Sequence, residues 1–413
     1  MANKLKIFND PVYGFISIPD SLIFHLIEHR IFQRLRRISQ TGLSNYVYPG
    51  CNHTRFLHAL GCLHLMQKAV RTLRQKGVEI TAAEERAVYI AILLHDAGHG
   101  PFSHALESTL VEDVHHEEIS LRLMHLLNEE FNGELSLAIE IFTNKYHKKF
   151  LSQLIAGQLD IDRLDYLKRD SFFSGVTEGN IGSDRIISMM NVADNQLVMD
   201  EKGIYSVEKY LISRMFMYWQ VYLHKTSIAA EIYLIQTLRR AKELVQQGYH
   251  LDAHPGLQYF LNRVTGSSFD AHDLEIFVSL DDHDVISAVK LWQHHEDPTL
   301  AFLSRSLIRR KLPKAQIRNM AVTEEEYAEK VEFCRQHIGE GSADYLVHAT
   351  PLTITPYDNK KQSILLLDNE GCCTPIEHSQ KQILTASLLQ STTKFHFCYW
   401  NTNKLKAIML NNN

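Results

Sequence analysis

An adjacent pair of metal-binding residue types, His95 and Asp96, closes the apolar run Val88–Leu94. The segment Gly98–His104 that follows adds two more histidines and two glycines. Imidazole and carboxylate groups suit Mn, Fe, Zn or Mg, and glycine lets the chain turn back close to such an ion. A lone His-Asp pair is weak support for a metal site, whereas the whole segment indicates one strongly.

Residues of the same chemical types lie in three other parts of the chain. His58 follows Arg55 by three positions, which places both on roughly the same face of a helix. Asp162 lies in an acidic stretch, and His115 and His116 are adjacent. Each has a structural alternative: a core histidine, a solvated acidic face, or an exposed helix start. The joint pattern favours a metal site with acid-base groups beside it.

These segments together resemble the HD-domain phosphohydrolases. The flanking pieces are similar to the deoxynucleoside triphosphate triphosphohydrolase branch, from about Phe8 to about Ala241. In that family the pattern His…His-Asp…Asp holds a divalent metal, here Mn, Fe, Mg, Zn or Ni. The resemblance implies four metal ligands, His58, His95, Asp96 and Asp162. Such a metal lowers the pKa of bound water and polarises a phosphoryl group.

The resemblance also implies which residues bind a deoxynucleoside triphosphate. The implied phosphate contacts are Arg55, His99, His104 and Arg214. The remaining substrate contacts are Gln40, Tyr166, Asp170 and Tyr222. The ring of Tyr222 would lie under the sugar where a ribonucleotide carries its 2′-hydroxyl, and would exclude it sterically. Without this context, an aromatic stripe on an amphipathic helix would be the simpler interpretation.

The family's His-Glu element matches His116 and Glu117. The resemblance implies that His116 protonates the 5′ leaving oxygen and that Glu117 holds the His116 side chain. The spacing leaves His115 open as a competitor, and Glu107 matches a further acidic position. The implied catalytic set is therefore His116, Glu117, His99 and His104. The chain has Leu57 where many relatives have Glu, Arg163 where some have Lys, and Tyr218 where some have His. None of these departures removes a metal ligand.

The N-terminal stretch carries a second resemblance, to a guanine-nucleotide activator site between subunits of regulated relatives. The matching residues are Lys6, Asn9, Glu28, Gln33 and Arg36. An acid and an amide can recognise guanine, and the two cations can neutralise phosphates. An ordinary charged surface helix, His25–Arg37, is the alternative. The resemblance also implies a homo-oligomer, a dimer or a tetramer.

Bulk properties narrow the class of protein. The chain has 413 residues, 45% hydrophobic and 22% charged, which is typical of a globular protein of two or three domains. The net charge of −5 does not indicate nucleic-acid binding. The N-terminus lacks a signal-peptide pattern, and no apolar run suits a membrane span. The six scattered cysteines fit reduced thiols, so we expect a cytoplasmic protein.

Hydrophobic periodicity predicts a mainly α fold with a smaller mixed α/β C-terminal region. The resemblance implies that the helical part is an HD-domain catalytic core. The predicted domains are 1–250, with the catalytic core, and 251–413. Thr81, with Glu84 three residues later, has the capping-box pattern that predicts a helix start. Predicted helices cover Leu22–Ile38, Arg55–Gln75, Thr81–Leu94, His115–Phe131, Leu135–Phe142, Phe150–Asp170, Val207–Gln247, Phe269–Gln293 and Ile376–Gln390. Predicted strands are Phe15–Ile18, a hairpin of Gln196–Met199 with Gly203–Tyr205, Tyr345–Val347, Leu352–Ile354, Ser363–Leu367 and Phe395–Tyr399.

The sequence thus predicts metal-dependent hydrolysis of deoxynucleoside triphosphates to a deoxynucleoside and inorganic triphosphate, as in dGTPase-like enzymes. Two rivals stay open. One is another HD phosphohydrolase reaction, that of a 5′-nucleotidase or a phosphodiesterase. The other is a non-catalytic nucleotide sensor.

Overall fold

The computed structural model describes residues 6–107, 109–111, 114–264, 266, 268–360 and 362–409; the side chains of five of these, His104, Glu340, Thr385, Ala386 and Met409, are outside the description. The fold is mainly helical with small sheets, as predicted. Within the described ranges, none of the helices has the length and hydrophobicity needed to cross a membrane. All six cysteines are free thiols.

The chain begins with an antiparallel hairpin of β1 (Lys6–Asp10) and β2 (Gly14–Ile18). The predicted helix over Leu22–Ile38 is interrupted. It forms α1 (Ser21–Glu28), α2 (Arg30–Gln33) and a 3-10 turn over Arg34–Arg37. The break lies at His29, which has extended backbone and whose Nδ1 accepts a hydrogen bond from the amide of Ile31.

Two long helices match their predicted positions and form the centre of the core. They are α3 (Arg55–Gln75) and α4 (Ala82–Leu94). Thr81 and Glu84 form the predicted capping box at the start of α4, each side chain bonding the other's backbone amide. His95 and Asp96 therefore emerge at the buried end of α4, between the two helices.

Five helices follow, α5 (His104–Glu107), α6 (His116–Glu130), α7 (Ser136–Phe142), α8 (Lys149–Ile155) and α9 (Ile161–Ser174). The prediction of a single helix over Phe150–Asp170 was wrong, because the helix is interrupted after Ile155. Asp160 is the N-cap of the next helix, and its side chain accepts a hydrogen bond from the amide of Arg163. This cap starts α9 so that Asp162 lies in its first turn, facing α3.

The middle of the chain contains α10 (Ser183–Met189), β3 (Met190–Ala193), β4 (Gln196–Asp200), α11 (Ile204–Met217), a π turn (Tyr218–Tyr222) and α12 (Lys225–Gln246). The hairpin partner of Gln196–Met199 is β3, and the predicted second strand, Gly203–Tyr205, instead begins α11. The predicted helix Val207–Gln247 is interrupted at His224, whose extended backbone and capping side chain restart it as α12.

The C-terminal region is α, then mixed α/β, as predicted. Its elements are α13 (Pro255–Asn262), α14 (Ala271–Phe277), α15 (Asp282–Trp292), α16 (Pro298–Ile308), β5 (Lys314–Arg318), α17 (Glu324–His337), α18 (Ala343–Leu346), β6 (His348–Ile354), β7 (Leu365–Leu367), β8 (Cys373–Pro375), α19 (Thr385–Leu388), β9 (Thr392–Tyr399) and α20 (Thr402–Met409). Tyr345–Val347 is not a strand, because α18 occupies most of it.

Two other C-terminal predictions need correction. The predicted helix Phe269–Gln293 divides at a capping box formed by Asp281 and Asp284, which starts α15. The predicted helix Ile376–Gln390 is reduced to a short 3-10 turn and α19.

Two further sheets connect the later elements. The first has the strand order β3-β4-β7-β8, with β4 and β7 parallel, and so joins strands from before and after residue 250. The second has the order β5-β9-β6 with antiparallel pairs. The helices that carry the site, α3, α4, α9 and α12, pack in a continuous buried core.

Candidate active site

Four side chains from three helices converge at the end of α4. Nε2 of His58 lies 3.1 Å from Oδ1 of Asp162 and 3.7 Å from Oδ2 of Asp96. Nε2 of His95 lies 3.5 Å from Oδ1 of Asp162 and 3.5 Å from Oδ1 of Asp96. The structure therefore brings the four residues predicted as metal ligands together, with Nε2 of each histidine within 3.7 Å of both carboxylates.

Both imidazoles are oriented by the nitrogen that faces away from this point. Nδ1 of His58 lies 2.8 Å from Oδ2 of Asp165, and Nδ1 of His95 lies 2.7 Å from the carbonyl oxygen of Ile92. Because both partners are acceptors, a neutral imidazole at either position carries its proton on Nδ1 and leaves the Nε2 lone pair available to a cation. Nε2 of His95 is buried without a hydrogen-bond partner, so these residues fit a bound cation.

The electrostatics of the cluster favour ionised carboxylates. Burial alone would raise the pKa of Asp162, but the adjacent imidazoles of His58 and His95 hold it well below its usual range. Cys62 lies close, with Sγ 3.6 Å from Nδ1 of His58. Burial raises the pKa of the Cys62 thiol, which disfavours the thiolate that a metal ligand needs. Cys62 is therefore a weaker candidate ligand than the two histidines and the two aspartates.

The loop after Asp96 is held by a buried arginine. Arg34 donates to the carbonyl oxygens of Ala97 at 2.8 Å, of His99 at 2.9 Å and of Leu280 at 3.2 Å. Gly98 faces α6, where a Cβ would lie 2.2 Å from the carbonyl oxygen of His116. The loop can therefore pass this close to α6 only with glycine at that position.

A second clamp on the loop comes from the start of α15. The carboxylate of Asp282 accepts from the amide of Ser39 at 2.8 Å and from the amide of Phe102 at 3.0 Å. Phe102 has a left-handed φ of 47°, a conformation that costs free energy for a bulky residue. The hydrogen bond that the Phe102 amide donates to Asp282 helps to hold this conformation.

A stacked pair of histidines lies beside the cluster of His58, His95, Asp96 and Asp162. The rings of His99 and His116 stack with centroids 3.8 Å apart. Nε2 of His99 lies 3.3 Å from Oδ1 of Asp96, and Nδ1 of His116 lies 3.3 Å from Oε1 of Glu107. Burial and the nearby guanidinium of Arg55 lower the pKa of His99 well below its usual value, so His99 is neutral near pH 7.

The acid beside His116 differs from the predicted one. Glu107 contacts His116, whereas Glu117 is exposed on the first turn of α6. The two differ because Glu117 is the next residue of a helix and points about 100° away from His116. His115 is also exposed. The side chain of His104 lies outside the described residues.

Two of the predicted sugar-contacting residues, Tyr222 and Asp170, are joined by a hydrogen bond. The hydroxyl of Tyr222 donates to Oδ2 of Asp170 at 2.7 Å, and Nε2 of His53 lies 2.6 Å from Oδ1 of the same carboxylate. The rings of Tyr166 and Tyr222 meet edge to face with centroids 6.1 Å apart. The ring of Phe173 stacks on His53. This group is a rigid aromatic and acidic wall.

A cavity of about 660 Å³ joins the metal cluster, the histidines and this wall, a size typical of small-molecule sites. Of the predicted substrate residues, those that line it are Gln40, Arg55, His99, His116, Tyr166, Asp170 and Tyr222. Arg55 bonds Asp96 through Nη1. Arg163 also lines the cavity, whereas Arg214 lines a neighbouring depression of about 180 Å³, with Tyr218 between them.

The predicted activator residues lie outside this cavity, on the N-terminal surface. Nε of Arg36 donates to Oε1 of Gln33 at 2.8 Å, and the Arg36 guanidinium lies 3.7 Å from the ring centroid of Phe56. Nζ of Lys6 lies 4.5 Å from the ring centroid of Phe24. Asn9 and Glu28 are exposed.

Sequence reasoning missed the residues that support the site. The predicted site does not include His53, which binds Asp170, or Asp165, which binds His58. It also does not include Arg34 and Asp282, which hold the loop after Asp96. Asp165 follows Asp162 by three positions on a helix that faces α3, and this spacing was the one signal available.

Comparison with known proteins decides the family. Residues 55–170 match the HD domain and residues 181–252 match the HD associated region. A solved phosphohydrolase from Bacteroides thetaiotaomicron is 48% identical, with a TM-score of 0.92, over 96% of this chain and 100% of that one. The chain belongs to the HD-domain phosphohydrolases. The HD match includes all four residues of the metal cluster, and HD domains are metal-dependent.

Curated HD relatives extend the comparison. The uncharacterized protein YwfO of Bacillus subtilis is 35% identical over 315 residues, 74% of this chain and 71% of YwfO. A protein of Dictyostelium discoideum named as a deoxynucleoside triphosphate triphosphohydrolase SAMHD1 homolog is 31% identical over 260 residues, 58% of this chain. That match spans only 50% of the Dictyostelium protein.

Proposed function

We propose that this HD-domain phosphohydrolase hydrolyses deoxynucleoside triphosphates to a deoxynucleoside and inorganic triphosphate. The observation that carries the proposal is the shared cavity. Asp96 and Asp162 line one wall, with His58 and His95 directly behind them, and the same space reaches the Tyr222–Asp170 pair. Phosphate chemistry and a sugar-sized aromatic wall therefore meet in one site. The likeness to the Dictyostelium relative supports the same substrate class.

The four clustered ligands would hold a divalent metal, which when bound supplies Lewis-acid activation of water and of the phosphoryl group. Arg55 and the neutral His99 face the position of the α-phosphate, where they donate hydrogen bonds to its oxygens. Water attacks the α-phosphorus, and the bond from that phosphorus to the 5′ oxygen breaks. His116 transfers a proton to the departing oxygen, and Glu107 orients its imidazole.

The remaining phosphates need further cations. Arg163 lines the cavity and Arg214 lies at its margin beyond Tyr218. The Arg214 guanidinium lies 5.8 Å from the ring centroid of Tyr218 and makes one long bond, 3.5 Å, to the carbonyl of Pro356. A rotation of this long side chain would bring its charge to a polyphosphate tail. A guanine-nucleotide activator at the N-terminal residues and a homo-oligomer belong to the same proposal.

The test is to incubate purified protein with each dNTP, with and without GTP, in Mn²⁺, in Mg²⁺ or in EDTA, and to separate the products. We expect deoxynucleoside and intact triphosphate, and neither product in EDTA. Monophosphate with pyrophosphate, or turnover of monophosphates alone, would instead favour a phosphodiesterase or a 5′-nucleotidase.

Replacement of two ligands separates the enzyme from a sensor. The double variant His95→Ala, Asp96→Ala should lose turnover at least a thousandfold, as an order of magnitude for the loss of metal catalysis. The sensor would be favoured if the wild type shows no turnover and the double variant keeps the same nucleotide-dependent behaviour as the wild type.

A further inference from the structure

A buried chain of charges connects the metal cluster with the N-terminal hairpin. It begins at His58, whose Nδ1 lies 2.8 Å from Oδ2 of Asp165. Arg169 donates to both oxygens of Asp165, at 2.9 and 3.1 Å, and through Nη1 to Oδ2 of Asp10 at 2.7 Å. Asp165 and Arg169 are fully buried, and Asp10 is 5% exposed.

Helices α3 and α9 both contribute to this chain of charges, α9 with its charged side chains and α3 with the space beside them. Asp165 and Arg169 lie one turn apart on the face of α9 that meets α3. At Gly61 of α3 a Cβ would lie 2.0 Å from Oδ1 of Asp165 and 2.2 Å from Nη2 of Arg169. Any larger residue at this position would displace the ion pair, so glycine is required for the close approach.

Asp10 ties the hairpin to the same chain. Its Oδ1 accepts from the amides of Val12 and Tyr13, each at 2.9 Å, and so fixes the turn between β1 and β2. Its Oδ2 is the oxygen that Arg169 binds. The conformation of the turn and the position of Arg169 therefore depend on one carboxylate.

The charges of Asp10, Asp165 and Arg169 do not sum to zero, so a further cation is needed to balance them. Asp10 and Asp165 carry two negative charges, and Arg169 carries one positive charge. Buried ions are costly unless they are paired, and a carboxylate that accepts the Nδ1 proton of a metal-binding histidine makes Nε2 a stronger donor. The excess negative charge lies on the side of His58 that faces away from the cluster, so it favours a cation at Nε2.

We infer that Asp165, Arg169 and Asp10 are positioning residues that raise the metal affinity of the site through His58, and that the N-terminal hairpin thereby influences that affinity. This inference rests on the metal site of the proposed function. Asp165 acts directly on the His58 imidazole, whereas Asp10 acts by holding Arg169. The effect should therefore be larger for Asp165 than for Asp10.

The test is a Mn²⁺ titration of the full chain, after removal of metal with a chelator, with free Mn²⁺ followed by electron paramagnetic resonance. Asp165→Asn should weaken Mn²⁺ binding by about tenfold to a hundredfold, the range for partners of metal-binding histidines. Asp10→Asn and Arg169→Lys should weaken it by about three- to tenfold, less than a direct partner does. The control is Asp184→Asn, an exposed carboxylate that pairs with Lys68 of α3 at 2.7 Å, which should leave binding unchanged.

Thermal unfolding of the metal-free proteins, recorded in parallel, separates positioning from folding. Lower melting temperatures with an unchanged Mn²⁺ affinity in all folded variants would overturn the inference and leave these residues a structural role only. If Asp165→Asn does not fold, Arg169→Lys and Asp10→Asn decide the question. No Mn²⁺ binding by the wild type would overturn the metal site itself, whereas equal binding by wild type and variants overturns this inference alone.

Discussion

The hydroxyl of Tyr222 lies 2.7 Å from one oxygen of the Asp170 carboxylate, and the other oxygen lies 2.6 Å from Nε2 of His53. The carboxylate is buried between its two partners. Tyr222 belongs to the π turn between α11 and α12, whereas Asp170 lies on α9. The bond therefore locks the tyrosine ring against the cavity wall, where it can act as a rigid steric filter.

Replacing this ring should change the choice between deoxyribo- and ribonucleotides. In Tyr222→Ala the space under the sugar opens, so the ratio of kcat/KM for dGTP over GTP should fall by about tenfold or more, a difference of about 1.4 kcal/mol in transition-state free energy. Tyr222→Phe keeps the ring and should retain most of the discrimination. An unchanged ratio in Tyr222→Ala would show that the ring is not the filter.

Replacing His116 should slow the reaction in a way that depends on the leaving group. His116→Gln should reduce kcat for a dNTP by about 10²- to 10⁴-fold, because the 5′ alkoxide then departs without a proton. A p-nitrophenyl phosphate ester, whose phenolate leaves without protonation, should lose much less. The matched control is His115→Gln, an exposed neighbour. A larger loss in the control than in His116→Gln would assign the proton to His115.

Arg34 should be needed to place His99. In Arg34→Met three carbonyl oxygens lose their donor, and a displacement of about 1 Å in a site of this kind can lower the rate about a hundredfold. We expect kcat/KM to fall by about tenfold to a hundredfold, with a lower melting temperature. Arg30→Met, which removes an exposed pair with Glu275, is the control. Loss of stability with unchanged kinetics would limit Arg34 to the fold.

The site and its support differed in how far the sequence could predict them. His95 and Asp96 are adjacent and follow a helix, so their shared direction is a local property of the chain. Arg34 and Asp282 act on the same loop from opposite parts of the sequence, and their contacts exist only once α15 packs against the N-terminal segment. Spacing carries no information on such contacts.

The same distinction explains the errors in the helix boundaries. The hydrophobic period continues through His29 and His224, so the sequence predicted one helix at each place. In the structure both residues are N-caps, and the ring nitrogen of each accepts a hydrogen bond from a backbone amide. This role is more usual for Ser, Thr, Asp or Asn. The capping box at Thr81 and Glu84, by contrast, uses the preferred residue types and was predicted correctly.

Glu84 should make folding stability depend on pH in the acid range. Burial opposes its ionisation, but hydrogen bonds from the Thr81 amide, Lys148 and Tyr146 lower its pKa to about 2. Since the pKa is lower in the folded state, the ionised carboxylate stabilises the fold above about pH 4.5, its ordinary value. That stability is lost as the pH falls towards about 2.

The measurement is urea unfolding of the wild type and Glu84→Gln between pH 7 and about pH 2.5, which includes most of the range in which the effect is lost. At pH 7 the variant should be less stable by about 1–3 kcal/mol, because three donors lose a charged acceptor. The difference between the two proteins should shrink as the pH falls below about 4.5. Glu129→Gln, an exposed position on α6, is the control and should follow the wild type at every pH. A difference that stays constant across this range would mean that the charge of Glu84 contributes nothing, and that its role is packing and hydrogen-bond geometry alone.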